Sequence, residues 1–417
     1  MSKNFCSWLT VAGSLLFAMS SVTCAQRVRV GAEVLIENHL NLLSGKRVGV
    51  ICNHTSVLSN GAHVVDTLIR LGVKVTALFG PEHGIRGISA AGEKIESNTD
   101  ARTGLPVFSL YGKVKKPTPE MLSNVDVLLF DIQDVGARFY TYASTMAYAM
   151  EAAAENGKKC IVLDRPNPIN GIDVEGPVLD TAFKSFVGLF PIPIRHGMTL
   201  GELAKMIVGE KWLGEYSNVD LTVIPMERWE REMWYDETGS IWIPPSPNMK
   251  TLATAIVYPG TCFFEGTNVT EGRGTEKPFE YIGAPWINGE SLAEELNGYK
   301  LSGVNFEPIT FTPKADSIAA PNPKYENEKC GGVYVHVIDR TKFPPVKTGL
   351  SMLLVLQKLY SNNLQFQSIS FDRLAGTTSI RVKLEASRPD EDASSSIIDG
   401  SQSWRFENNR KKYLLYK

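Results

Sequence analysis

Acidic and basic side chains recur in this chain just after short apolar runs. The stretch VTALFGPEHGIR (75–86) opens with β-branched and apolar residues, breaks at Gly80-Pro81 and delivers Glu82, His83 and Arg86 in a glycine-rich loop. Carboxyl and imidazole groups can exchange protons, and a guanidinium can hold an anion. The pattern recurs: RVGVIC (47–52) ends at Asn53, DVLLFDI (126–132) carries Asp131 and leads to Asp134, and CIVLD (160–164) delivers Asp164 and Arg165. One acid after a strand is common, whereas three brought to one sheet edge make a cleft.

The apolar runs read as buried strands. Between them lie helical periodicities, HVVDTLIRLG (63–72) with its glycine stop and a stretch from about Tyr140 to Asn156 stopped by Gly157. PVFSLYG adds a strand and TPEMLSNV a short helix start; Thr199 with Glu202 three residues on caps a further helix, and VDLTVIPM is another strand. Strands alternating with helices at this spacing predict an α/β fold, a Rossmann-like open and mostly parallel sheet. Right-handed crossovers then place every strand's carboxyl end, and so the acids, on one edge. The first strand is followed by NHTSVLSNG and not by G-x-G-x-x-G, and GRGTEK (272–277) has only two of the glycines, so a dinucleotide is not expected.

The proline cluster IPPSPNM (243–249) can continue neither a helix nor a central strand, and it sets the expected domain boundary at 250/251. Residues 26–250 form the Rossmann-like domain. Residues 251–417 form a smaller α+β C-terminal domain, with strands GGVYVHVID and TTSIRVKL around the helix GLSMLLVLQKLY. Its segment 258–279 packs Glu265, Asn268, Glu271 and Arg273 among glycines, which suits either a mobile surface turn or a loop that reaches over the first domain's cleft.

Length and composition set the remaining bounds. At 417 residues, 43% hydrophobic and 21% charged, the chain has the make-up of a globular protein with ample core. Its net charge of −2 gives no electrostatic case for nucleic acid as a partner. Residues 1–25 combine Lys3, an apolar WLTVAGSLLFAM and Thr23-Cys24-Ala25, which reads as a secretory signal cleaved after Ala25; acylation of Cys24 is the rival. The mature protein is thus expected to be periplasmic or secreted, with no transmembrane anchor. Cys52, Cys160, Cys262 and Cys330 would remain, the first two as buried thiols in strands. No zinc-ribbon spacing, H-E-x-x-H or G-x-S-x-G occurs, and no metal or cofactor is expected.

Seven ordered motifs, ALFGPEHGIRG, TGLPVFSLYG, LLFDIQDVGARFYTY, VLDRPNP, RHGMTLGELA, PPSPNM and YPGTCFFEGTNVTEGRGT, together resemble the NamZ-type exo-β-N-acetylmuramidases over nearly the whole mature chain. The resemblance implies an exported glycoside hydrolase that removes N-acetylmuramic acid (MurNAc) from the non-reducing end of peptidoglycan fragments. It also implies a cleft between a Rossmann-like domain and a smaller one.

Such hydrolysis ordinarily uses one carboxyl as proton donor and a second as nucleophile or base. Glu82 is assigned the first role, and Asp131, Asp134 and Glu271 remain open for the second. The lactyl carboxylate of MurNAc calls for a guanidinium, with Arg86, Arg138, Arg165 and Arg273 as candidates. Asn53, Asn167, His196 and Asn268 are candidates for the hydroxyls or the acetamido group, and Tyr140 and Tyr142 for an apolar wall. His83, Asp164 and Glu265 complete the expected substrate-binding set. A metal-dependent hydrolase using Glu82, His83, Asp131 and Asp134 and a non-catalytic peptidoglycan-binding protein are the alternatives.

Overall fold

A computed structural model describes residues 27–82, 84–85, 98–387 and 403–417. His83, Arg86 and the 1–25 segment with Cys24 lie outside the described residues. Seven strands form one sheet: β1 (Val48–Cys52), β2 (Val75–Gly80), β3 (Asn98–Thr99), β4 (Pro106–Ser109), β5 (Val127–Asp131), β6 (Lys159–Leu163) and β7 (Asp220–Ile224). Their order is β3-β4-β2-β1-β5-β6-β7, and every pairing is parallel except β3 with β4.

The strand sequences explain this arrangement. VGVIC and VLLFD are apolar throughout and buried along their whole length, as strands covered on both faces must be. One face of the sheet packs on helices α1 (Gly31–Asn38) and α2 (Val64–Arg70) through Leu35, Val65 and Leu68. The other packs on α3 (Tyr142–Glu155) and α4 (Leu200–Gly209) through Met146, Met150 and Leu203. Helix α4 starts where the Thr199–Glu202 spacing predicts, in a reciprocal capping box. Strand order reverses between β1 and β5, and the crevice outside the carboxyl ends there is the general ligand position of such sheets.

The second unit holds a three-stranded antiparallel sheet, β8 (Tyr281–Ala284), β10 (Cys330–Val337) and β9 (Val304–Phe311) in that order. Around it lie α5 (Leu252–Thr261), α6 (Gly289–Gly298), α7 (Pro345–Tyr360), α8 (Ser368–Ala375) and α9 (Ser379–Ala386). Its apolar interior is continuous with the α3/α4 side of the large sheet. The described cysteines are all buried and none forms a disulfide, and no helix among the described residues is long and apolar enough to cross a membrane.

Two expected elements differ. TTSIRVKL is helix α9 rather than a strand: Ile380 and Leu384, four residues apart, are buried together while Val382 is 52% exposed. Arg381 bonds Glu385 along the same helix and Asp372 across to α8. Helical spacing of two core residues outweighed the β-branched composition. TPEMLSNV makes only turns, with Leu122 N donating to Thr118 O, because Asp126 is already fixed by Arg47 at the start of β5.

Candidate active site

Between the two units lies a cavity of about 250 Å³. Glu82, Tyr111, Tyr140, Thr141 and Tyr142 enter from the first unit, and Tyr258, Glu265, Arg273 and Phe279 from the second. Ser246, Asn248 and Met249 of the proline-rich connection close a third side.

Glu82 sits two residues beyond β2, half-buried. The turn that carries it returns tightly on the strand: a Cβ on Gly80 would lie 3.1 Å from Ile85 N. Thr141 donates a hydrogen bond to Glu82 Oε2 at 3.4 Å, and the Tyr111 hydroxyl lies close to the same carboxylate. Burial, reinforced by the Glu82 charge, pushes the Tyr111 phenol up, so Tyr111 remains a donor. A carboxyl among hydroxyls at the mouth of a cleft can exchange a proton with a ligand oxygen.

Opposite stands Arg273, bonded to Glu265 Oε1 through Nε (3.2 Å) and Nη2 (2.5 Å) and lying 3.3 Å from Glu271. The two carboxylates hold the guanidinium above its ordinary value despite its burial, the burial itself opposing them. Glu271 does not line the cavity; it is buried and paired with Lys324 at 2.9 Å. Lys324 also donates to Phe264 O and Val269 O, which fixes the segment carrying Glu265. That segment is helix end and a 3-10 turn (Cys262–Gly266) before it becomes a loop, so residues 258–279 are more ordered than glycine content predicts. The wall is aromatic: Tyr140 and Tyr142 meet edge-on at 4.9 Å, Tyr258 and Phe279 at 4.8 Å. Such rings can cover the apolar face of a sugar.

Asp134 lies under this wall. Its Oδ2 accepts from Gly136 N at 2.8 Å, while Oδ1 has no partner among the described residues. Burial pushes it up to about 7, against the pull of the backbone N–H groups of Gly136 and Val135. The Tyr140 hydroxyl is likewise buried, beside the hydroxyls of Tyr142 and Ser246. Asn53 supports the same floor, its Nδ2 donating to Tyr142 Oη at 3.0 Å and Tyr142 donating in turn to Pro245 O at 2.6 Å.

Other candidates hold the fold instead of facing this cavity. Asp131 is buried in a two-point pair with Arg165, at 2.5 and 2.9 Å, so neither is at hand beside Glu82. Arg138 is buried and donates to Pro177 O, Ile192 O and Leu374 O, bracing the two units. His196 accepts from Met198 N, and burial, aided by Arg410 and Arg138, holds it down to about 3, neutral at any working pH. Asn167 ties Met198 O to Ile169 N. Asp164 accepts from Thr199, Gly201 and Tyr416, anchoring α4 and the C-terminal tail. Asn268 pins its loop to Asn363 and Gln365. Of the expected metal set Glu82, His83, Asp131 and Asp134, His83 lies outside the described residues and Asp131 is committed to Arg165; no group of three suitable ligands occurs among the described residues.

Sequence reasoning missed Tyr111, Thr141, Ser246, Asn248, Tyr258 and Phe279. Tyr111 was findable, because it follows β4 on the edge that carries Glu82. Ser246 and Asn248 were hidden in a proline cluster read only as a boundary.

Residues 48–253 match the family described as "Exo-beta-N-acetylmuramidase NamZ, N-terminal", and residues 256–416 match its C-terminal counterpart. The chain is 49% identical over 392 residues to the peptidoglycan beta-N-acetylmuramidase NamZ of Bacillus subtilis (strain 168), covering 94% of this chain and 92% of that protein. Two crystal structures of DUF1343 family proteins from Bacteroides fragilis NCTC 9343 are similar, each covering 94% of this chain and 99% of theirs. One has a TM-score of 0.85 at 38% identity, the other 0.75 at 34%.

Proposed function

The chain belongs to the NamZ family of exo-β-N-acetylmuramidases, and on that premise we propose that its interdomain cavity takes the terminal MurNAc of a peptidoglycan fragment and hydrolyses its glycosidic bond. One observation carries the reading: a carboxyl set among hydroxyls, Glu82, faces a guanidinium, Arg273, across an aromatic-walled cavity of about 250 Å³. Glu82 donates the proton to the leaving oxygen. Arg273 reads the lactyl carboxylate, exchanging part of its bonding to Glu265 for the ligand. Tyr140, Tyr142, Tyr258 and Phe279 pack against the ring. Of the carboxyls considered for the second role, Asp134 alone is not held in an ion pair, as Asp131 and Glu271 are, but it is buried outside the cavity lining.

Closure of the cavity by Glu265, Arg273 and Phe279 supports attack at a chain end. The signal-like composition of residues 1–25 supports export to the periplasm or beyond, where such fragments arise. Incubation of the purified protein with a MurNAc–GlcNAc disaccharide, where GlcNAc is N-acetylglucosamine, should release free MurNAc and GlcNAc. An intact disaccharide after prolonged incubation would overturn the assignment, and release of internal fragments from polymeric glycan would overturn the exo mode.

A further inference from the structure

Behind the candidate active site lies a second cavity, of about 220 Å³, which shares no lining residue with the first. Thr55, Gln133 and Arg165 line it, from the segments that follow β1, β5 and β6. It therefore sits where the strand order reverses, the place at which open α/β sheets hold ligands.

Two features point to an occupant. Gln133 is 3% exposed, and its Nε2 donates to Asp134 O and Pro166 O, which fixes the amide's orientation. Its Oε1 nevertheless has no hydrogen-bond partner among the described residues, a costly state for a buried acceptor. At the rim, Ile241 is 84% exposed.

The chemistry of the occupant follows from what the walls offer. Both guanidiniums are already matched, Arg165 by Asp131 and Arg27 by Glu33, each through two bonds. The cavity brings no uncompensated charge, which disfavours an anion. Gln133 Oε1 calls for a donor, an N–H or O–H. Arg165 Nη1, which makes no hydrogen bond among the described residues, offers one to an acceptor. Ile241, with Leu58 and Val30, calls for an apolar group such as a methyl. An acetamido group on a hydroxylated ring meets all three demands.

We propose that this cavity binds a neutral N-acetylated amino sugar, at a site separate from the catalytic one. The choice of sugar rests on the function proposed above, whose leaving product is such a sugar. The two sites are mechanically joined. Asn53 accepts from Thr55 of one cavity and donates to Tyr142 of the other. The segment 239–249 supplies Ile241 to the first wall and Ser246 and Asn248 to the second, and it is held between them by His54 at Pro244 O and Tyr142 at Pro245 O.

Titration calorimetry of the full protein with N-acetylglucosamine, glucosamine and glycylglycine tests the proposal, using the natural sequence, Ile241→Trp, Ile241→Ser and Arg273→Ala. Ile241 is exposed, so its variants should keep the native melting midpoint. N-Acetylglucosamine should bind the natural protein and Arg273→Ala alike. Both Ile241 variants should weaken it by about tenfold or more, and glucosamine should not bind. No binding of N-acetylglucosamine, equal binding by the Ile241 variants, or a preference for glycylglycine would overturn it. The readout is binding and not turnover, so it can fail while the hydrolytic reading stands.

Discussion

At the scale of single residues, the site is sorted by which polar side chains have been spent on the fold. Asp131, Arg138, Asp164, Asn167 and His196 all follow strands or precede a helix, as cleft residues do. The structure commits each to an ion pair or a backbone group brought from far along the chain, such as Leu374 O for Arg138. Sequence shows the strand end but not the distant acceptor, so Glu82 and Arg273 could not be told apart from these by type and spacing alone. Arg273, the one candidate arginine among the described residues that lines the cavity, should carry discrimination between muramoyl and glucosaminyl glycosides. Losing a buried charge partner costs 2–5 kcal/mol, roughly two to three orders of magnitude. Arg273→Ala should therefore narrow the ratio of kcat/KM for the two aryl glycosides by about that factor, and an unchanged ratio would remove the assignment. Asp134 gives a pH signature. Its carboxyl rises from an ordinary value near 4 to about 7 on folding, so the native state holds a proton that the unfolded chain releases. Stability should fall as pH climbs from about 4 to about 7, by up to a few kcal/mol, and level off above. Denaturant midpoints across that range should show the decline, and Asp134→Asn should lessen it, leaving the share of Asp164, which burial also raises to about 7.

At the scale of elements, the parallel sheet was legible because its strands are continuous apolar runs separated by helical periodicity. TTSIRVKL was misread because eight residues of mixed composition satisfy either period, and only the shared burial of Ile380 and Leu384 against the core decides. One contact was not visible at all. Helices α5 and α7 cross at Gly260 and Gly349, where an added Cβ would sit 1.9 Å from Pro345 O or 2.2 Å from Gly260 O. Helix α5 carries Tyr258 and leads directly into Glu265, so this crossing sets the second unit's edge of the cavity. Overpacking of this kind costs about 1–3 kcal/mol, occasionally more. Gly349→Ala, although remote from the ligand, should lower the thermal midpoint and reduce turnover together; a normal midpoint with normal turnover would show that the crossing has slack.

At the scale of the whole molecule, the two units are bound by more than the cavity they share. The final residues return to the first unit: Arg410 donates to His196 O and Gly197 O, Leu415 N to Glu202, and Tyr416 bonds both Asp164 and Met226 N. The apolar ending YLLY does not tell which unit it joins, since no local pattern records a contact across two hundred residues. Tyr416→Phe leaves the buried Asp164 oxygen one donor short and should cost about 1–3 kcal/mol. Chemical denaturation should show that loss while KM for the disaccharide stays unchanged, because Asp164 does not reach the cavity.

The central claim, that Glu82 protonates the leaving oxygen, is tested most directly by Glu82→Gln on two substrates. General acid catalysis contributes about 10²–10⁴-fold, so the variant should lose at least ~100-fold in kcat on MurNAc–GlcNAc. An aryl muramoside with an acidic phenol needs less help in leaving and should be cleaved with a much smaller loss, where bond cleavage limits the rate. Equal losses on both substrates would give Glu82 the other role, and full activity of the variant would contradict the account.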